Sequence, residues 1–151
     1  MNWGYAYTPQ IWPPVLTVLL LIVLVSFAWR RRDVPGAIPF LTGSLLAAVW
    51  MAGSVLEYLA LEGTTKLFWA KFQVAFQLPY VTAVTCFFLE YTWPGRWLKP
   101  RNVVLLSIPP LLVLGLILTN DLHHWIWRDL RFESARLPQF GAGAGFLIAY
   151  G

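Results

Sequence analysis

The feature that most constrains this chain is an uncharged stretch from Val103 to Leu118, in which Ser107 is the only polar side chain. A helix rises about 1.5 Å per residue and the hydrocarbon core of a bilayer is about 30 Å thick, so the stretch is close to the shortest that crosses a membrane. It is followed by TNDLHHWIW, which mixes polar groups with indoles that favour the headgroup layer. The pattern therefore predicts a membrane-spanning helix that ends at an interface.

Other apolar runs extend this prediction to the whole chain. Hydrophobic residues make up 58% of the sequence and charged residues only 12%, whereas soluble domains carry about a quarter charged residues. We therefore predict an all-α integral membrane protein with no soluble domain. Its four transmembrane helices are expected at about residues 11–29, 38–61, 66–91 and 102–119, with the start of a fifth from residue 146.

Basic residues favour one orientation in the membrane. Arg30, Arg31 and Arg32 directly follow the first apolar run, whereas a cleaved signal peptide carries its positive charge before that run. With the N-terminus outside, six Lys and Arg residues lie inside and five outside. We expect a multi-pass protein of the cytoplasmic membrane, and we read the net charge of +4 as a topology signal and not as a nucleic-acid surface.

Polar residues in the second and third runs form a candidate site. Trp50 and Glu57 share one helical face, and reflecting the hairpin about its loop brings Lys71 to nearly the depth of Glu57. An unpaired charge in lipid is costly, which suggests an ion pair between Glu57 and Lys71. With Gln73 and Gln77, these residues form either a ligand-binding polar core or plain interhelical contacts, and both interpretations stay open.

A second polar group follows the fourth run and comprises Asn120, Asp121, His123, His124 and Trp127. Adjacent histidines point about 100° apart on a helix, so this spacing does not favour a metal site. The alternatives are interfacial packing with Asn120 and Asp121 capping the chain, and a pH-sensing imidazole. Nucleophile–base sets and nucleotide-binding loops are missing from the sequence, so we expect no catalysis, cofactor or metal in this chain.

The motifs together resemble a known family. TNDLHHWIW after a helix with a proline pair, Trp50 and Glu57 in the second run, KLFWAKFQ opening the third and FLEYT closing it are similar to the seven-helix N-terminal region of prokaryotic sensor histidine kinases. The resemblance implies part of a seven-helix sensory bundle, cut within the fifth helix. It also implies that the phosphoacceptor and ATP-binding parts lie further along the parent protein.

The expected function is therefore that of a membrane-embedded input region that passes an unknown stimulus to a cytoplasmic output domain. Its partners would be the lipid bilayer, the missing C-terminal helices, the cytoplasmic signalling domain, an unidentified small ligand and a second copy in a homodimer, but no nucleic acid. The alternatives are a fragment of a small-solute transporter or channel and a membrane anchor without a sensory role.

Overall fold

A computed structural model describes residues 4–123, 127–129 and 139–140 of the chain. It confirms the predicted all-α fold, which is built on four long helices. These are α1 (Trp12–Arg30), α2 (Ala37–Leu59), α3 (Gly63–Thr92) and α4 (Pro100–Leu118).

Shorter elements flank the long helices. A 3-10 turn, Pro9–Ile11, leads into α1, and the four-residue helix α5 (Asn120–His123) follows α4. Strands β1 (Trp127–Asp129) and β2 (Gln139–Phe140) form a small antiparallel pair. This pair was not anticipated in the segment after α4. The predicted fifth helix from residue 146 lies outside the described residues.

The turn between α2 and α3 is shorter than the sequence suggests. The backbone leaves the helical conformation at Ala60, and α3 already begins at Gly63, after Glu62 in an extended conformation. Residues 62–65, which separate the predicted second and third helices, are therefore largely the first turn of α3. Pro79 lies within α3, and Pro109 and Pro110 lie within α4, and the helices continue through them.

Consecutive long helices pack against each other in an antiparallel order. Along the interface of α2 with α3, Gly43 faces Ala83 while Gly53 faces Phe72. The N-terminal segment, the α2–α3 turn and the end of α4 therefore lie at one end of the bundle, which we call the aromatic end. The α1–α2 turn and the α3–α4 loop lie at the other, which we call the arginine end.

The outward surfaces of the helices are apolar. All four helices are long and apolar enough to cross a membrane, with mean hydropathies between 1.5 and 2.4 over their most apolar windows. On α1, for example, Val23 is 64% exposed and Phe27 is 62% exposed. Such surfaces are stable in lipid and not in water, because large apolar patches are costly to hydrate. The fold is thus that of a multi-pass membrane protein.

A small apolar core joins α3 to α4. Leu78 of α3 is buried against Val113 and Ile117 of α4, which are each 1% exposed. Neighbouring apolar side chains pack around these three residues. This contact holds the C-terminal half of α4 on the middle of α3.

The N-terminal segment is fixed across the aromatic end. Residues 4–6 pair in antiparallel fashion with residues 59–61, through hydrogen bonds of 2.8 and 3.0 Å. The indole Nε1 of Trp69 on α3 also donates to the hydroxyl of Tyr5, at 3.3 Å. The segment therefore bridges the end of α2 to α3, beside the candidate polar site.

Candidate functional site

Three polar side chains meet between α2 and α3. The Ser54 hydroxyl donates to Oε1 of Gln73 at 2.7 Å, and Nε2 of Gln73 donates to Oε2 of Glu57. Ser54 and Glu57 belong to α2 and Gln73 belongs to α3, and all three are half-buried. The side-chain amide of Gln73 therefore accepts a hydrogen bond from one residue of α2 and donates one to another.

A glycine allows this close approach. A Cβ at Gly53 would lie 2.9 Å from Cδ1 of Phe72 and 3.0 Å from Cγ of Gln73. The two helices therefore pack here at a distance that only glycine permits without a shift of its neighbours. Sequence reasoning missed Gly53, although a glycine within a helix costs about 1 kcal/mol relative to alanine and so calls for an explanation.

The other residues predicted for this cluster surround it. The Trp50 and Tyr80 rings lie 6.0 Å apart at 51°, which links α2 to α3 one turn further into the bundle. The Gln77 side chain is half-buried and makes no hydrogen bond within the described part of the chain. Lys71 is half-buried, two residues before Gln73. The ion pair between Glu57 and Lys71 stays a prediction, since the hydrogen-bond partner found for the Glu57 carboxylate is Gln73.

The polar group after α4 is only partly within the described residues. Asn120 starts α5 and is 3% exposed, while His123 ends α5 with its Nε2 3.2 Å from the Thr119 hydroxyl. Trp127 lies in β1 opposite Phe140. Asp121 belongs to α5. His124 lies outside the described residues.

The metal interpretation of this group gains no support. Among the residues that the structure describes, no three His, Cys, Asp or Glu side chains lie close enough to hold a metal ion. His123 instead contacts a hydroxyl one turn earlier in the chain. The packing and pH-sensing interpretations of the histidines both stay predictions.

A further carboxylate organises the arginine end. Oε1 of Glu90 accepts the backbone N–H of Gly95 at 2.9 Å, where Gly95 has a φ of 69°. Oε2 of Glu90 is buried and has no hydrogen-bond partner within the described residues. Glu90 therefore holds the turn after α3 in place, a role that its position in the sequence motif does not reveal.

The α2–α3 cluster offers hydrogen-bond donors, acceptors and one carboxylate. These groups can bind a polar ligand and couple two helices through hydrogen bonds. In a lipid environment such groups stabilise a helix pair when satisfied and destabilise it when their partners change. The arrangement suits a site whose occupancy alters helix packing.

The fold and the site together define a multi-pass membrane helix bundle with a polar contact between two of its helices. The sequence matches, over residues 13–151, the family model described as the N-terminal 7TM region of histidine kinase. The chain belongs to this family, which is a non-catalytic input region, and the resemblance seen in the motifs is confirmed. No curated protein and no solved structure matches the sequence.

Proposed function

We propose that this chain is the sensory part of a signalling protein, in which a ligand or a membrane condition alters the packing of α2 against α3. The change would pass through later helices to a cytoplasmic output domain. The single observation that carries the proposal is the hydrogen-bonded chain from Ser54 through Gln73 to Glu57. Membership of the histidine kinase 7TM family supports the signalling role.

The physical basis is that polar groups in membrane helices have few alternative partners. An interhelical hydrogen bond in lipid contributes about 0.6 to 2 kcal/mol. A ligand that donates to Glu57 or accepts from Gln73 would replace one of these contacts and shift the relative stability of two helix packings. Such a ligand changes the signal only if it binds one packing more tightly than the other.

The aromatic end is proposed to face the cell exterior. The three arginines after α1 and the basic α3–α4 loop then lie on the cytoplasmic side, as basic residues near short turns usually do. Glu57 lies near the end of α2 that faces outward in this orientation. A stimulus from outside could therefore reach the cluster without crossing the bilayer.

The proposal is tested by replacing Gln73 in the intact gene product and measuring autophosphorylation in membranes. Gln73→Leu removes both hydrogen bonds to α2 and is expected to change the phosphorylation level by at least about fivefold, the lower end of typical coupling between sites. Gln77→Leu is the matched control, because it makes the same change one turn along α3, where no hydrogen bond links the side chain to the described residues. Equal responses of the two variants, or no response to Gln73→Leu, would reject a signalling role for the cluster.

A further inference from the structure

The α3–α4 loop and the first turns of α4 form a basic cavity at the arginine end. Its volume is about 580 Å³, within the range of roughly 300 to 1,000 Å³ that is common for ligand sites. Three cationic side chains, one amide, one indole and one leucine line it. They are Arg96, Trp97, Lys99, Arg101, Asn102 and Leu105.

The three cations of this cavity have no anionic partner within the described residues. Arg96, Lys99 and Arg101 are exposed, and none of them forms an ion pair with a carboxylate of the described chain. The carboxylate closest in sequence, Glu90, uses Oε1 to accept the N–H of Gly95. The cavity therefore concentrates positive charge that the described protein does not neutralise.

The segment that carries these cations, from the α3–α4 loop into the first turn of α4, is held in a defined conformation. Nδ2 of Asn102 donates to the carbonyl of Trp97 at 2.9 Å, and the N–H of Lys99 donates to the same carbonyl at 2.8 Å. Binding at the cavity then requires little ordering of the backbone, which lowers the entropy cost.

We propose that this cavity binds the headgroup of an anionic phospholipid. The guanidinium and ammonium groups suit the phosphate oxygens, since arginine binds phosphate through paired N–H donors and lysine binds it as a point charge. Leu105 and the ring of Trp97 supply an apolar border for the glycerol and the first part of the acyl chains. A free phosphate ion has no apolar group that could contact this border.

The depth of the cavity in the bilayer fits a headgroup. It lies where α4 begins at Pro100, next to Trp97, which is 47% exposed. Indoles are enriched at the level of the headgroups. In the proposed orientation this is the cytoplasmic leaflet, whose anionic lipids attract basic segments beside membrane helices.

The other basic group of the arginine end offers a matched control. Arg31 lies over the Phe27 ring at 5.6 Å, and Arg32 lies over the Trp29 ring at 5.4 Å. These cations contact aromatic faces of α1 and do not line the cavity. Removing Arg30, Arg31 and Arg32 lowers the net charge by the same amount as removing the three cavity cations, at the same end of the bundle.

The experiment compares two triple variants of the full chain in phosphatidylcholine nanodiscs that contain a small fraction of phosphatidylglycerol. Native mass spectrometry after release from the discs measures which lipid stays bound. The parent chain is expected to retain phosphatidylglycerol over phosphatidylcholine. The variant Arg96→Gln, Lys99→Gln, Arg101→Gln should lose this preference by at least about tenfold, because each basic residue near an anionic membrane contributes measurably to binding.

The control variant Arg30→Gln, Arg31→Gln, Arg32→Gln should keep the preference. An equal loss in both variants would overturn the site in favour of diffuse electrostatic attraction. Competition by inorganic phosphate as effective as that by phosphatidylglycerol would overturn the lipid assignment. Each single cavity substitution should give a partial loss, so the proposal stays testable if the triple variant does not fold, and single variants with parental retention would reject it.

Discussion

Gly53 of α2 faces Gln73 of α3 so closely that a Cβ at Gly53 would lie 3.0 Å from Cγ of Gln73. The same Gln73 links Ser54 and Glu57 through its amide. The missing side chain at Gly53 and the hydrogen bonds of Gln73 therefore belong to the same contact between α2 and α3. The distance between α2 and α3 at this point decides whether the hydrogen bonds of Gln73 to Ser54 and Glu57 can form.

Gly53→Ala is expected to destabilise the bundle, because the added methyl group would meet Phe72 at 2.9 Å as well as Gln73. Overpacking of this kind costs about 1 to 3 kcal/mol. Thermal unfolding in detergent micelles, followed by circular dichroism, measures the effect.

Gly43→Ala controls for the general effect of replacing a glycine in α2. Its Cβ would lie 3.6 Å from Cβ of Ala83, an ordinary contact. The gain in helix propensity is worth up to about 1 kcal/mol, so this variant should be neutral or more stable. Equal destabilisation by both substitutions would show that the close approach at Gly53 is not special.

The predicted ion pair between Glu57 and Lys71 is open to a double-mutant cycle. Glu57→Gln, Lys71→Met and the double variant are expected to be non-additive in thermal stability, with a coupling of about 0.5 to 3 kcal/mol if the two charges interact. Strictly additive effects would remove the case for direct coupling. A parallel cycle with Glu57→Leu and Gln73→Leu serves as reference, since these two side chains are hydrogen-bonded and each substitution removes that bond.

The sequence was a good guide to the helices and a weaker one to their contacts. The uncharged run Val103–Leu118 predicts its helix because hydropathy is a local property. Reflecting the hairpin gives the depth of Lys71 and Gln73 but not the helix face, and residues two apart in a helix point in different directions. The depth estimate alone therefore could not reveal that Gln73 hydrogen-bonds to Glu57.

Long-range pairing was also beyond the sequence. Residues 1–10 carry no charged side chain, and their aromatic residues Trp3, Tyr5 and Tyr7 suggest only an interfacial position. The hydrogen bonds between residues 4–6 and residues 59–61 depend on where α2 ends. That end is set by the extended conformation of Ala60, for which no capping side chain gives a signal.

The orientation can be measured with reporter fusions. A periplasmically active phosphatase joined after residue 62 is expected to be active, and one joined after residue 34 inactive, because the triple arginine should hold the α1–α2 turn in the cytosol. Green fluorescent protein at the same positions should give the opposite pattern. Replacing Arg30, Arg31 and Arg32 with Gln should weaken this bias, since the number of inside cations would fall from six to three, below the five outside. Phosphatase activity at residue 34 in the parent chain would reverse the proposed topology.

Glu90 offers a test of how the arginine end is held together. Glu90→Leu removes the acceptor for the Gly95 N–H and should lower the free energy of unfolding by about 1 kcal/mol, as the loss of one hydrogen bond typically does. Glu90→Gln keeps a carbonyl oxygen for the same N–H and removes the negative charge from a carboxylate whose Oε2 is buried without a hydrogen-bond partner in the described chain. It should therefore be as stable as the parent or more so. Hydrogen exchange at the Gly95 amide separates the two effects, with faster exchange expected in the leucine variant only. If glutamine accelerates exchange as much as leucine does, the charge of Glu90, and not its role as an acceptor, holds the turn.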